Sequence, residues 1–504
     1  MFYVRTVKTV SLSTAVQVIR YQNRDRIIVK HIGSAHNPEE LRSLKQTAHE
    51  WINQATKQQN LFPAKRKEVL TLIPINKLCN LGFRYSFAYE TIHNLFELFQ
   101  LNQLGNQLFL DLVMMRIIQP ASKIESLKLL SEFFGIKHQR ADFYRGIRGM
   151  VSLKDIVEKK MVVFAKKQFA FDFSIVFYDV TTLYFETFSD DEDTEKEKGL
   201  RKKGFSKDNK AKQPQIVIAV VVTSEGFPVF YDIFEGNVFE GNTFIPSITK
   251  FKKTYEVKDF TVVADAAMIS LSNIQSLAAN NLSYIVGGRI ANLKFEQIKE
   301  INKRLSGVDG NSMQIETERG ILVCDFSLNR YQKDKREMEQ QIQKATYLIK
   351  NPSKAKRSKF LTSTEKTGYL LNMELIEKTK LLLGIRGYYT NLINKTNEVI
   401  IAHYHNLWHV EQVFRIAKND LAMRPIYHFK RQTIEAHILI CFAALGVCKY
   451  MEIKTGKSTK AIIKILKKTT DARLLNTITN KEIIIRSQLS DESQQLLKTL
   501  SLSH

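Results

Sequence analysis

Between residues 173 and 290 the sequence carries five strongly apolar runs, FSIVFYDVTTLYF, PQIVIAVVVT, PVFYDIFEG, FTVVADAAM and LSYIVGG, and they constrain the fold more than any other stretch. β-branched and aromatic residues dominate them, which marks strands, and the turn SEGFP separates the second run from the third. Two helical patterns, GNTFIPSITKFKKTYE and SLSNIQSLAANN, fall on either side of the fourth. The order is therefore β-β-β-α-β-α-β. Strands joined by short turns pair antiparallel, whereas strands joined through a helix need a crossover and pair parallel. The expected core is a mixed α/β sheet with helices on its faces.

Ribonuclease H-like domains have this order of elements, and two acids interrupt the apolar runs here. Asp179 lies in the middle of the first run, and Asp265 ends the fourth. Each alone has a plain reading as a strand-edge aspartate capping a turn. Together they are harder to house, because an unpaired carboxylate in an apolar setting is costly and like charges raise one another's pKa. A site that keeps both ionised calls for a divalent cation, and oxygen ligands suit Mg²⁺ or Mn²⁺. A third acid is available in VIIAHYHNLWHVEQVFRIAKNDLAMRP (399–425), where apolar residues recur at helical spacing from Tyr404 to Leu421. Seven residues are nearly two turns, so Tyr404, Glu411 and Lys418 line one stripe of the expected helix, with Arg415 one turn beyond Glu411. The plain alternative is a solvated helix with a Glu411–Arg415 ion pair.

The rest of the chain frames this core. Residues 1–36 alternate as a small β unit with NRD as its hairpin turn, and residues 37–168 are read as a helical domain whose basic KHQRADFYRGIRG makes it a candidate DNA-binding module. Residues 169–290 form the first part of the core, 291–392 an insertion with strand-like segments and the basic link NPSKAKRSKF, 393–452 the second part with the Glu411 helix, and 453–504 a basic helical tail. The loop SDDEDTEKEKGLRKKGFSKDNKAKQ after the first strand is almost devoid of apolar residues, and its Lys207 and Lys210 fall close to Asp179's strand. Lys and Arg outnumber Asp and Glu by 75 to 51, a net charge of +24 that points to a polyanionic partner, nucleic acid before membrane. The apolar run ILICFAALGVC is too short to cross a bilayer and the opening MFYVRTVKTV has no signal-peptide core, so a cytoplasmic protein is expected. Cys79, Cys324, Cys441 and Cys448 show no paired spacing, so neither disulfide nor zinc is expected. His405 and His409 have the spacing of a helical metal pair, but without HExxH they are read, with His403, as helix-face or DNA-facing residues. Trp408 is read first as a packed aromatic.

FYDVTTLYF, GFSKDNK with PQIV shortly after it, GFPVFYDIFEGN, VVADAAMIS and YHNLWHVEQVFRIAK followed by RPIYH together resemble the DDE transposases of bacterial insertion sequences, of the insertion sequence four type. The resemblance is strongest over 173–290 and 397–445 and fades after about 455. It implies a ribonuclease H-like core interrupted by a β-rich insertion, with Asp179, Asp265 and Glu411 as catalytic acids. It also implies two Mg²⁺ or Mn²⁺ ions per site and cleavage and joining of DNA at the element's terminal inverted repeats. The partners implied are those ends, a target DNA and a second copy of the chain in a synaptic complex, in a bacterial, nucleoid-associated setting. The family's late helix reads Tyr-x2-Arg-x3-Glu-x6-Lys, whereas this sequence has Tyr404, Leu407, Glu411 and Lys418, so the arginine's contact with DNA is missing. Trp408 and Arg415 are candidates to replace it. Two other readings stay open: a metal-dependent nuclease that cuts without joining, and an inactive transposase-derived DNA-binding protein.

Overall fold

The computed structural model describes residues 2–9, 13–22, 25–56, 75–193, 195, 198–268, 270–305, 307–352, 358–364 and 368–502. Residues 23 and 24 of the NRD turn and 353–357 of the basic link at 351–360 lie outside the described residues. The chain forms two compact units, one from Met1–Thr91, Lys128–Lys137 and Ile463–His504, the other from Ile92–Leu127 and His138–Ile462.

The second unit is built on an eight-stranded mixed sheet. In chain order its strands are β1 (Ile175–Tyr184), β2 (Gln215–Val222), β3 (Pro228–Glu235), β4 (Thr261–Ala264), β5 (Ser283–Gly288), β6 (Ser312–Thr317), β7 (Gly320–Phe326) and β8 (Ile385–Thr390). Across the sheet they run β6-β7-β8-β5-β4-β1-β2-β3. β1, β4 and β5 are parallel neighbours and every other pair is antiparallel. The β3-β2-β1-β4-β5 portion is the ribonuclease H-like core that the order of apolar runs predicts. All eight residues of β2 are buried, as a strand covered on both faces requires.

Residues 291–392 do not fold apart from this core. β8 pairs with β5 through Gly387↔Gly288 to Thr390↔Ile285, and β7 and β6 add on beyond it, so the insertion lengthens the core sheet. A small cluster of its own, Met338, Ala345, Phe360, Ile376 and Leu383, packs the helices of this stretch.

Helices cover both faces. Helix α1 (Glu240–Tyr255) buries Phe244, Ile248 and Phe251, which share a face by their spacing. The Tyr178 ring packs on Phe244 at 5.0 Å, and its hydroxyl lies 2.8 Å from that of Thr243. Side chains alternate along a strand, so with Tyr178 turned to α1 its neighbour Asp179 faces the other side. That other side carries α3 (Asn397–His405) over β4, β5 and β8, and α4 (Trp408–Arg415) over β1; helix α2 (Leu271–Ala279) packs on α1 and β5.

The long helix α5 (Arg431–Thr455) is apolar all round and packs on β3, with Phe442 against Tyr231 at 4.7 Å. It is long and apolar enough to cross a bilayer, which the run ILICFAALGVC alone is not, yet 94% of its apolar window is buried inside the protein. Each fully buried Ile, Leu or Phe there stabilises the fold by about 1.5–3 kcal/mol. Gly446 lets the helix Lys154–Phe169 come close, since a Cβ there would sit 2.8 Å from the Met161 sulfur. Helix Gln107–Ile118, within the stretch read as a DNA-binding module, is buried from Phe109 to Ile118 and packs on α5. Arg140, Arg145 and Arg148 of the basic segment are exposed.

In the first unit, strands Phe2–Lys8, Thr14–Gln22 and Asp25–Ala35 form an antiparallel sheet. Helix Pro38–Thr56 closes it over Val16, Val18, Ala35, Leu44 and Ala48. Asn37 Oδ1 accepts the Glu40 N–H at 2.8 Å while Glu40 Oε2 accepts the His36 N–H at 2.7 Å, a reciprocal cap that starts the helix. Two expectations are corrected here. The stretch read as helical from residue 37 contains a strand, Leu78–Arg84, and the C-terminal tail contains two more, Asp471–Asn476 and Lys481–Arg486. Asp471–Asn476 pairs with both others, with Lys481–Arg486 as a local hairpin and with Leu78–Arg84 across nearly the whole chain, and the latter pairing leaves no periodic signature in its segment.

Candidate active site

Tyr178 of β1 pairs with Ala264 of β4, so Asp179 and Asp265 occupy the next position along two neighbouring parallel strands. Strand spacing sets their backbones about 5 Å apart, and equal register turns both side chains to the same face. β4 ends there because Asp265 turns back on itself. Its Oδ1 accepts the Ala266 N–H at 2.6 Å and its carbonyl accepts the Met268 N–H at 3.0 Å, which closes the short turn Ala266–Met268. Asp179 Oδ1 likewise accepts the N–H of Val180 at 2.7 Å.

The electrostatics of the pair are unfavourable by themselves. Burial pushes the Asp179 carboxyl up to about 7, with Asp265 and Glu240 adding to the rise while Lys207 and the Val180 N–H oppose it. Lys207 is held close by, its ammonium donating to the Val180 carbonyl at 2.8 Å and pairing with Glu240 at 2.9 Å. Two hard oxygen donors facing one way, one of them short of counter-charge, fit a divalent cation such as Mg²⁺ or Mn²⁺.

Both aspartates line a cleft of about 750 Å³, together with Tyr404, Trp408 and Glu411. Tyr404 is fixed most firmly. Its ring packs on Tyr388 at 4.5 Å, and Tyr388 donates its hydroxyl hydrogen to Asp325 at 2.9 Å. The Tyr404 hydroxyl lies against Asp265, and burial and that carboxylate together push its pKa up. Gly287 makes room for it, since a Cβ there would collide with the hydroxyl.

The single helix expected from Tyr404 to Leu421 is broken. α3 ends at His405, and Leu407, His409 and Val410 each donate three residues back, at 3.0, 3.1 and 3.0 Å, before α4 begins. After Arg415 the backbone loosens into a π-type turn, Ile416–Asp420, closed by Leu421 N–H to Ile416 O at 2.9 Å. The break lets Leu407, Val410 and Val413 all bury while the chain changes direction over β1. It also takes Lys418 out of the expected stripe. Glu411 stays in the cleft, exposed, and no Glu411–Arg415 ion pair forms among the described residues. Arg415 lines another cavity with Glu225 and Lys449. Lys418 turns to Asp208 at 3.5 Å, where Arg424 also pairs.

Glu411 shares the cleft without joining the two aspartates in a cluster: among the described residues no three His, Cys, Asp or Glu side chains are grouped closely enough to hold a metal ion. Trp408 is 47% exposed rather than packed in the core, and its ring lies 4.0 Å from that of His409. Lys210 lies over the Tyr184 ring at 5.3 Å. His405 lines the acidic cleft whereas His409 lines the Arg415 cavity. Three arginines that the sequence reading missed, Arg289, Arg330 and Arg386, complete the cleft wall. Two had a signal: Arg289 directly follows the strand LSYIVGG and Arg386 interrupts the apolar GIRGYY, both unusual places for a cation.

A core of this strand order with paired carboxylates on adjacent parallel strands defines a ribonuclease H-like enzyme domain. The model of the family described as "Transposase DDE domain" matches residues 171–447, more than half of the chain, and the chain belongs to that family of transposases. No curated protein matches the sequence. Among solved structures, the piggyBac transposase synaptic complex with hairpin DNA is similar at 12% identity over 83% of this chain and 75% of that one, with a TM-score of 0.38. The Mos1 transposase paired-end complex with left transposon end is 12% identical over 47% of this chain and 66% of that one, with a TM-score of 0.15. At these scores neither likeness carries any part of the argument.

Proposed function

We propose that this transposase cleaves and joins DNA at the ends of a bacterial mobile element of the insertion sequence four type, with Asp179, Asp265 and Glu411 as its catalytic acids. The observation that supports this most is the placement of Asp179 and Asp265 at the same level of adjacent parallel strands, facing a cleft that Glu411 also lines. Asp179 and Asp265, joined by Glu411 once it moves toward them across the cleft, would hold Mg²⁺ or Mn²⁺, two ions per site, which supply a more acidic attacking water or hydroxyl and offset charge at phosphorus.

The chain's own residues account for the rest. Arg289, Arg330 and Arg386 draw the phosphate backbone onto the cleft wall, a contact that weakens as salt rises. Tyr404, immobilised between Tyr388 and Asp265, fixes the direction of that carboxylate and closes one side of the cleft. Trp408 offers an exposed ring on which an unpaired base can stack. Lys207 keeps a positive charge beside Asp179, Lys210 and Arg415 extend the basic surface for DNA, and Lys418, paired with Asp208, steadies the loop that carries Lys207 and Lys210. A second copy of the chain would carry the other element end, in a cytoplasmic, nucleoid-bound complex.

The test is a strand-transfer assay with oligonucleotides carrying the inverted repeats that flank the gene, in Mg²⁺. Joined product that disappears in Asp179→Asn supports the proposal. Nicked product alone identifies a metal-dependent nuclease, and DNA that is shifted but uncut identifies an inactive binding protein; either would overturn it.

A further inference from the structure

A second cavity, of about 480 Å³, lies in the same unit beside the helix that begins at Lys123 and the start of α5. Arg116, Lys123 and Arg424 line it, and no Asp or Glu does so among the described residues. Arg116 and Lys123 are each only 5% exposed. Arg116 spends its terminal nitrogens on the carbonyls of Leu421, Ala422 and Ala121, at 3.2, 3.3 and 3.1 Å, and its Nε has no partner. Lys123 Nζ lies 3.0 Å from His437 Nδ1. The other ring nitrogen of His437 is 2.9 Å from the Met423 carbonyl and must donate to it, so Nδ1 accepts and the ring is neutral. Arg424 alone has an acidic partner, Asp208, which is not part of the lining.

Two buried cations side by side with neutral partners are expensive to hold. Burial and the Arg116 charge push the Lys123 ammonium well below its ordinary value, and burial and the same two cations push His428 down to about 4. An anion in the cavity would relieve all of this. Ser122 and Thr433 place the N-termini of two helices, Lys123–Phe134 and α5, in the same lining, and both termini favour negative charge. The volume is that of a nucleotide-sized ligand rather than of a bare phosphate. Tyr144 and Tyr427, 52% and 63% exposed, also line it and offer ring faces to a base.

We propose that this cavity binds the 5′-phosphate end of a DNA strand, phosphate on Arg116 and Lys123 and terminal base against Tyr144 and Tyr427. The inference rests on the DNA-cleaving function proposed above. In that hydrolysis the water oxygen bonds to phosphorus as the P–O3′ bond breaks. The 3′ oxygen leaves as a hydroxyl after taking up a proton, and a doubly charged phosphate stays on the 5′ end of the downstream fragment. The cavity is tied to the strand that carries Asp179. Arg424 sits 5.9 Å over the Tyr184 ring, and Tyr184 lies five residues beyond Asp179 on β1. At strand rise that is about 17 Å from the acids.

The experiment is calorimetric titration of the full chain with a 5′-phosphorylated single-stranded oligonucleotide, its 5′-hydroxyl twin and inorganic phosphate. The phosphorylated strand should bind at least about tenfold tighter than its twin, and inorganic phosphate far more weakly than either. Ser122→Asp should erase that preference while keeping the fold, because aspartate accepts the same capping N–H of Glu125 and adds charge at the mouth. Lys123→Gln should erase it too. Equal binding of the twins to the unmodified chain, or a preference that survives in both variants, overturns the proposal. Inorganic phosphate that binds as tightly as the phosphorylated strand also overturns it, by making this a free-anion site. Equal binding of the twins alongside Asp179-dependent strand joining would sink the pocket alone and leave the transposase reading intact.

Discussion

Asp179 and Asp265 follow directly on Tyr178 and Ala264, which are register partners on neighbouring parallel strands. Two chain segments far apart in sequence are thereby locked side by side by backbone hydrogen bonds. The carboxylates cannot move apart without breaking the sheet, so their repulsion is met by a proton, by Lys207 or by a cation bound between them.

A divalent cation should therefore stabilise the fold through this pair. Adding Mg²⁺ or Mn²⁺ is expected to raise the melting temperature by about 2 °C or more, and Asp179→Asn to remove the gain. In chelator, Asp179→Asn should melt no lower than the unmodified chain, since it removes a desolvated carboxylate that the fold holds at a raised pKa. An equal cation shift in the variant would show that the ions bind elsewhere.

Glu411 is exposed on a short helix and carries no ion pair with Arg415 among the described residues. Its replacement should cost little stability and most of the activity. Glu411→Gln is expected to change unfolding free energy by less than about 0.5 kcal/mol and to lower strand cleavage by about a hundredfold or more. Cleavage near the unmodified rate would remove Glu411 from the catalytic set.

Gly287→Ala tests whether the setting of Tyr404 matters. The new Cβ would meet the tyrosine hydroxyl and, at 3.0 Å, the Ala266 nitrogen beside Asp265. Overpacking of this kind costs about 1–3 kcal/mol, and displacing Tyr404 should slow cleavage about tenfold or more. Gly287→Ala combined with Tyr404→Phe, which removes the clashing oxygen, should recover the lost stability. Denaturant melts of the three chains decide the point.

Lys418 is committed to Asp208, so its removal acts through the loop that carries Lys207. Lys418→Ala and Asp208→Asn should each weaken binding to element ends, and the double variant should be no weaker than the worse single one. Fully additive losses in a double-mutant cycle would mean that Lys418 contacts DNA on its own.

The core sheet was legible because its strands are continuous apolar runs whose order dictates their pairing, and Asp179 and Asp265 stood out by violating those runs. The break before α4 was hidden. Leu407, Val410 and Val413 keep helical spacing across it, and a change from four-residue to three-residue hydrogen bonds leaves no mark on composition. The turn of Lys418 to Asp208 and of Arg415 to a second cavity was hidden with it. Strand Leu78–Arg84 was missed because its partner begins at Asp471, and local periodicity carries nothing about so distant a pairing.

β8 is bonded to β5, and Gly287 of β5 holds the Tyr404 hydroxyl against Asp265. The arginine-bearing wall is thus no hinged flap. A duplex held at Arg386 would load a strand that is hydrogen-bonded to the seat of Tyr404, so the grip on DNA and the setting of the acids would share one backbone ladder.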